Sequence, residues 1–473
     1  MPPESGPTRV QRAPATRDQV DAYRFGVRRT EAALVRADPV PLHEQIRSQR
    51  RAVFAGVLLG LLALGVTALL ARNAPATDWQ RQALVQGTRT GVLYAVIPDP
   101  PRLVPVPDPV VGRLVLAARG QAGAATAVPV AVPDEALATA PRTAPAAVPG
   151  AVGVALDGAP VPAAWAVCDT APSDGPGPGA ATVLAGSLGP VPDGPGPALL
   201  VTAEGSATYL VHEGRRHRID PSDPDVMAGL GLRDALVRPV GGGLLSAVPE
   251  GPPLRMPDTT GTEIPGLGRV GEVVVVQPLG APESFYLVTE DGLAPVPVTL
   301  ADAVLSRSGQ GLPTTLPPGQ INDVPASRIP GVEAWPVAPP SAGPGPDTPV
   351  LCWTWEPGRA RVVATARTPV AAGAVTVSLA GADGTGPALD EVVLPPSGPG
   401  PLRAGSSDAD GPAGGVPWLL ASSGALHGIA DDPTAAALGI GAAEPAPAEI
   451  VRLLPRGGVL DVAEAQEMAD VPG

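Results

Sequence analysis

Lysine is absent from this chain: all 32 basic residues are arginine. A phosphate-binding loop uses a Lys to reach the β- and γ-phosphates, and Schiff-base chemistry uses a Lys amine, so neither is available in its usual form. Histidine is scarce, at four in 473 residues. Cysteine is scarcer still, with Cys168 and Cys352 alone, and no CxxC or Cys/His spacing supports a zinc site. Neither GxxxxGK[ST] nor a GxSxG elbow occurs. Gly266-Leu-Gly268-Arg-Val-Gly271 spells GxGxxG, but Glu272-Val-Val-Val-Val follows it. That is a strand where a dinucleotide fingerprint requires a helix N-terminus, so it reads as a turn. No catalytic, cofactor-binding or metal-ligating residue is assigned.

What is present first is one unbroken apolar run, 52–71, flanked by Arg50-Arg51 and Arg72. Twenty helical residues rise about 30 Å, the thickness of a bilayer's hydrocarbon, and no charge interrupts them. The 51 preceding residues carry ten Arg and six Asp/Glu, a net +4, and the part beyond the run carries 22 Arg and 40 Asp/Glu, a net −18. The positive-inside rule then puts the N-terminus in the cytosol and exports the acidic bulk. A cleaved signal peptide at Ala74-Pro75-Ala76 is the rival, but the basic lead and the apolar core are both too long for one. An acidic exported part also argues against a nucleic-acid partner.

The exported sequence reads as many short strands joined by turns. The 58 Gly and 64 Pro make about a quarter of the chain, yet 44% is hydrophobic and falls in short Val/Leu/Ile runs. Gly-Pro-Gly-Pro units near 175–179, 194–197, 343–346 and 398–401 are linkers or turns. The two cysteines, both beyond the span and so in an oxidising compartment, are most simply a disulfide, and two buried thiols are the alternative. For a separation of 184 residues, chain entropy sets an upper figure of roughly 5 kcal/mol for such a bridge.

Internal echoes organise the exported part. Tyr209-Leu-Val-His-Glu-Gly214-Arg-Arg-His217-Arg-Ile219 parallels Leu419-Leu-Ala-Ser-Ser-Gly424-Ala-Leu-His427-Gly-Ile429. Met227 to Leu232 parallels Ala435 to Ile440, and Pro249 to Leu254 parallels Pro455 to Leu460. Each copy reads as strand, Gly turn, strand, a short helix capped by Asp223 or Asp432, then a further strand. Weaker echoes start at Phe285 and at Gly91. The cysteine segments, Trp165 to Thr170 and Leu351 to Trp355, also resemble each other, which suggests two halves of one central β unit with modules around it. His217 and His427 occupy matching positions after the Gly turn and are structural on that ground. Arg215, Arg216 and Arg218 form the one dense basic cluster beyond the span. They read either as a contact to anionic envelope polymer or as a solvated hairpin edge.

Before the span, Thr16-Arg17-Asp18-Gln19 matches a capping box that opens a helix. Val20, Tyr23, Val27, Thr30 and Leu34 form one apolar stripe with Arg24 and Arg28 beside it, and Asp38-Pro39 ends the run. A second helix, 42–51, leads into the span. Fifty-one residues cannot enclose a core, so the stripe is read as a docking face for a cytosolic partner; packing on the neighbouring helix or on headgroups is the plainer alternative.

The segments Thr16-Arg-Asp-Gln-Val20, Tyr23-Arg-Phe25, Arg28-Arg29, Ala33 to Asp38 and Ile46 to Arg50, followed at once by a single span, resemble the N-terminus of the EccB family of type VII (ESX) secretion systems. Trp165-Ala-Val-Cys168-Asp, Leu-Cys352 and the closing Leu453-Leu-Pro455-Arg-Gly-Gly-Val-Leu460-Asp-Val-Ala463 extend the resemblance over nearly the whole chain. It implies a β-rich α+β fold: one N-terminal transmembrane helix, then four repeat modules around a central β-barrel-like domain closed by a disulfide. The corresponding divisions are 1–51 cytosolic, 52–71 span, 72–150 module 1, 151–203 and 346–414 the two central halves, 204–268 module 2, 269–345 module 3 and 415–473 module 4. It further implies assembly with an EccC-type ATPase and the EccD and EccE membrane subunits, and self-association through the exported domain. Some members of the family are described as ATPases, which no residue here supports. A structural scaffold is therefore the first reading, and an exported hydrolase or a cell-wall-binding module is the alternative.

Overall fold

The computed structural model describes residues 16–36, 42–72 and 78–469, with interruptions at 149–150, 152–153, 155–158, 173–176, 194–197, 204, 206, 259, 341–346, 385, 387 and 407–416. The expected helix stop at Asp38-Pro39 and the loops at 194–197 and 343–346 lie outside the described residues. The chain forms two compact units, Met1–Thr77 and Asp78–Gly473.

In the first unit a helix runs Arg17–Arg36. Gln19 Oε1 accepts the Thr16 N–H at 3.1 Å, the reciprocal half of the expected capping box. The expected second helix and the span are one continuous helix, Leu42–Arg72. Its 21-residue stretch Gln49–Leu69 has a mean hydropathy of 2.4 and is the one described helix long and apolar enough to cross a membrane.

The second unit is built from sheets that repeat one pairing scheme. In the first sheet Leu84–Gly87, Leu93–Ile97 and Arg102–Val106 form an antiparallel meander, the helix Pro109–Ala118 crosses over, and Pro129–Val132 returns parallel to the first strand. A parallel return needs such a crossover, because a tight turn can only reverse the chain. The second sheet does the same with Leu199–Thr202, Thr208–His212, Arg215–Arg218, the helix Pro224–Gly229 and Arg238–Pro239. The third uses Val273–Val276, Ser284–Thr289, Gly292–Val296, the helix Val298–Ser308 and Thr314–Leu316. The fourth uses Pro401–Gly405, Pro417–Leu420, Leu426–Ile429, the helix Asp432–Leu438 and Glu444–Pro447. Here a fifth strand, Arg456–Leu460, runs parallel to the third. In the other sheets single parallel bridges take that place: Leu103 to Arg142, Arg216 to Glu250 and Leu293 to Ala326.

Two details depart from the sequence reading. The fourth sheet's helix is capped by Asp431, whose Oδ1 accepts the Thr434 N–H at 2.8 Å, and Asp432 is its first helical residue. A capping carboxylate must lie outside the helix to reach the third amide, and Asp223 does this as expected in the second sheet. The second and fourth sheets also begin at Leu199 and Pro401, earlier than the expected divisions at 204 and 415. Gly205, with φ +70°, lies between the first two strands of the second sheet.

The central unit is an open six-stranded sheet in the spatial order Arg359–Thr365, Val350–Glu356, Trp165–Thr170, Ala180–Leu184, Glu391–Leu394, Val375–Ser378. The two cysteine segments pair side by side at its middle, as their mutual echo suggested. Among the described residues the expected barrel is not found: closure would require the outer strands 359–365 and 375–378 to pair, and they are the sheet's two edges. What holds is a mixed, β-rich α+β fold.

The hydrophobic cores tie these sheets in pairs. The first and fourth share one, in which Leu84, Val111 and Leu114 meet Leu419, Leu438 and Leu460. The second and third share another, in which Leu200, Val226 and Leu230 meet Val273, Leu287 and Leu300. The short helices Gly242–Ala247 and Ala448–Val451 pack on strand Trp165–Thr170 and share one core with the central sheet.

Candidate functional site

Cys168 and Cys352 face each other directly across neighbouring antiparallel strands, with Cα atoms 4.0 Å apart, and are bonded as a disulfide. Both are fully buried among Ala166, Leu184, Val350, Val363 and Val393. The bridge therefore joins two halves of one sheet that lie 184 residues apart in the chain.

Asp169, the next residue, points to the opposite face of that strand and is 0% exposed. Its Oδ1 accepts from Arg238 at 3.1 Å, and its Oδ2 accepts the backbone N–H groups of Gly179 at 3.1 Å and Gly241 at 2.7 Å. Arg238 also donates to the Pro349 carbonyl at 2.7 Å. One buried carboxylate thus fixes the second sheet, the start of the helix Gly242–Ala247 and both central halves. A second, Asp390, accepts the N–H groups of Ala181 at 2.8 Å and Asp383 at 2.9 Å. Sequence reasoning missed both. Asp169 carried one signal, a charge inside the otherwise apolar strand Trp165–Thr170, which demands a buried partner.

Close backbone approaches set the seams between sheets. A Cβ on Gly229 would lie 2.3 Å from the Thr299 carbonyl oxygen, so the helices Pro224–Gly229 and Val298–Ser308 touch only because that residue is glycine. At the other seam buried Arg113 donates to the carbonyls of Ala127 and Leu438, at 2.9 and 3.1 Å.

His217 and His427 sit in matching places. Each is buried, with its ring against a glycine of the following segment; a Cβ would lie 2.4 Å from the His217 ring at Gly251 and 2.3 Å from the His427 ring at Gly457. His217 Nδ1 is 2.9 Å from the Pro252 carbonyl oxygen, which makes that nitrogen the protonated one. Burial pushes both imidazoles below the ordinary 6.5. Both are then neutral in the fold, and the unfolded chain binds more protons below pH 6.5, so stability falls as pH drops through that value. Each histidine contributes a slope of up to about 1.4 kcal/mol per pH unit. Asp134 and Asp431, lowered by hydrogen bonds, lose their contribution only below the ordinary 3.8. Denaturant unfolding of the chain at pH 7.5 to 5 should show this decline, and the pair His217→Asn/His427→Asn should flatten most of it, leaving the share of His212, which burial also lowers; an equal decline in the variant would remove His217 and His427 as its cause.

The basic cluster is not one surface. Arg216 is half-buried, donates to the Leu245 carbonyl, pairs with Glu250 at 3.2 Å and lies 5.3 Å above the Tyr209 ring, so its charge is spent inside the fold. Arg215 and Arg218 are exposed. On the helix Arg17–Arg36, Val20, Tyr23, Val27 and Leu34 are all exposed, Tyr23 at 74% and Leu34 at 87%, so the apolar stripe has no cover within the described residues.

Residues 12–472 match the profile of "Type VII secretion system ESX-1, transport TM domain B". The chain belongs to the EccB family. It is 31% identical to the ESX-1 secretion system ATPase EccB1 of Mycolicibacterium smegmatis, covering 94% of this chain and 93% of that protein. It is 30% identical to the ESX-5 secretion system ATPase EccB5 of Mycobacterium marinum over 95% and 93% of the two chains. Among solved structures, a chain of an intact ESX-5 inner membrane complex superposes with a TM-score of 0.66 at 28% identity, over 97% of this chain and 96% of that one. The EccB3 dimer from an ESX-3 core complex matches with a TM-score of 0.66 at 26% identity, over 81% and 99%. The resemblance read from the N-terminal and cysteine segments is thus the family's own, carried by an EccB with a disulfide and one candidate membrane span.

Proposed function

We propose that this EccB is a single-pass structural subunit of an ESX inner membrane complex, with its N-terminus in the cytosol and the unit from Asp78 outside. The observation that carries this reading is the end-to-end likeness to a chain of an assembled ESX-5 inner membrane complex. The charge asymmetry about the span, +4 against −18, supports the orientation. The uncovered stripe Val20, Tyr23, Val27 and Leu34, with Arg24 and Arg28 beside it, suits docking onto an EccC-type ATPase or the EccD and EccE membrane subunits. The dimer seen for EccB3 supports self-association through the exported part. The pairing scheme common to four sheets supports reading them as copies of one module around the central sheet, since stacked modules build extended contact surfaces.

The relatives' name, ATPase, favours a second reading in which the chain itself hydrolyses nucleotide. Against it stand the complete lack of lysine and the burial of His217 and His427 in the fold. Purified full-length chain in detergent is expected to show no ATP turnover of its own. Turnover that survives rigorous removal of other ATPases and disappears on a point substitution in this chain would establish the enzyme reading instead.

A further inference from the structure

A cavity of about 470 Å³ opens beside the strand Arg215–Arg218, lined among others by Arg218, Asp220, Asp223, Arg255 and Arg307. The Leu254 N–H donates to the Arg218 carbonyl at 2.9 Å, which sets Arg255 alongside Arg218 on one wall. The two carboxylates on its lining, Asp220 and Asp223, are already engaged. Asp220 accepts from the Ser222 N–H and hydroxyl at 2.9 and 2.7 Å. Asp223 caps the helix Pro224–Gly229 and pairs with Arg307, and Asp225 holds Ser306 and Arg307. Among the described residues neither Arg218 nor Arg255 has an ion-pair or hydrogen-bond partner for its guanidinium. Two unpaired positive charges thus line one cavity, in a part of the chain that carries 40 acidic residues against 22 Arg. Arg255 also lines a second cavity of about 560 Å³, whose walls include Pro252, Met256, Arg328 and Trp335 and one carboxylate, Asp258.

We propose that Arg218 and Arg255 form an anion site for a phosphate group carried on a polyol or sugar, with the phosphate between the two guanidinia and the uncharged unit in the Pro- and Trp-lined cavity. Guanidinium forks match phosphate oxygens in pairs, and two unpaired cations balance a doubly charged anion or two successive phosphodiesters. Both cavities fall in the size range of small-ligand sites. The site stands independently of the scaffold reading, because the geometry of the exported unit alone defines it.

The test is calorimetric titration of the full-length chain in detergent at low ionic strength, where exposed charges are least screened. Inorganic phosphate and poly(glycerol phosphate) are the two probes. Saturable binding of either, weakened about tenfold or more by Arg218→Gln and by Arg255→Gln, is the expected result. Arg328→Gln should leave inorganic phosphate unaffected and weaken the polymer, which separates free phosphate from a polymeric source. Because neither guanidinium has a partner to lose, both variants should unfold at the wild-type temperature without probe, and phosphate should raise that temperature in the wild type alone. No saturable binding of either probe, or binding that both substitutions leave unchanged, overturns the site.

Discussion

Asp169→Ala is expected to destabilise the unit Asp78–Gly473 by about 3–5 kcal/mol, the range for removing one partner of a buried ion pair. The substitution leaves Arg238 in a largely buried site with no carboxylate, and it strips the N–H groups of Gly179 and Gly241 of their acceptor. Three segments distant in sequence lose their common anchor at once. Asp169→Asn keeps an acceptor for Gly241 and should cost clearly less. Denaturant unfolding of the full chain, followed by tryptophan fluorescence, measures both; Trp165 and Trp353 are buried in the affected sheet and report on it. A loss below about 1 kcal/mol for Asp169→Ala would show that the seam between the second sheet and the centre does not depend on this carboxylate.

Tyr23→Asp together with Val27→Asp is expected to abolish secretion while the chain still inserts and the unit from Asp78 folds as in the wild type. The two side chains lie one turn apart on the exposed stripe, in the unit Met1–Thr77 and not in the one that begins at Asp78. Placing two charges in a partner contact costs several kcal/mol, which is enough to empty a complex of ordinary affinity. Arg24 and Arg28 are left in place, so the loss reports on the apolar stripe and not on charge attraction. Normal secretion by this variant would mean that the stripe rests on lipid or on the neighbouring helix.

Much of the architecture was legible because it depends on local chemistry. The candidate span needed only an unbroken apolar run, and the helix Arg17–Arg36 announced itself by Thr16, Gln19 and the spacing of its stripe. The disulfide was legible from the number of cysteines and their expected compartment, and its neighbouring strands from the echo between Trp165–Thr170 and Leu351–Trp355. The equivalence of His217 and His427 was legible as well, but not its cause, since the glycines that receive the rings, Gly251 and Gly457, lie 30 or more residues on. What the sequence could not give was non-local pairing. Leu199–Thr202 reads the same whether it belongs to the cysteine half or to the hairpin after it, and only its register with Thr208–His212 decides. Closure of the central sheet likewise depends on which strands become neighbours, and local pattern is silent on that. Of the basic cluster, Arg216 looked like its neighbours in sequence and is instead spent on Leu245, Glu250 and Tyr209. Arg255, from a separate segment, is the residue that joins Arg218 at the cavity.

Purification of the tagged full-length chain in mild detergent, with every co-purifying protein identified by mass spectrometry, weighs the structural-subunit reading as a whole. The expected companions are an EccC-type ATPase and EccD- and EccE-type membrane subunits in constant proportion, lost together from the Tyr23→Asp/Val27→Asp chain. Recovery of the wild-type chain free of all three, from membranes in which they are present and secretion is active, would contradict it.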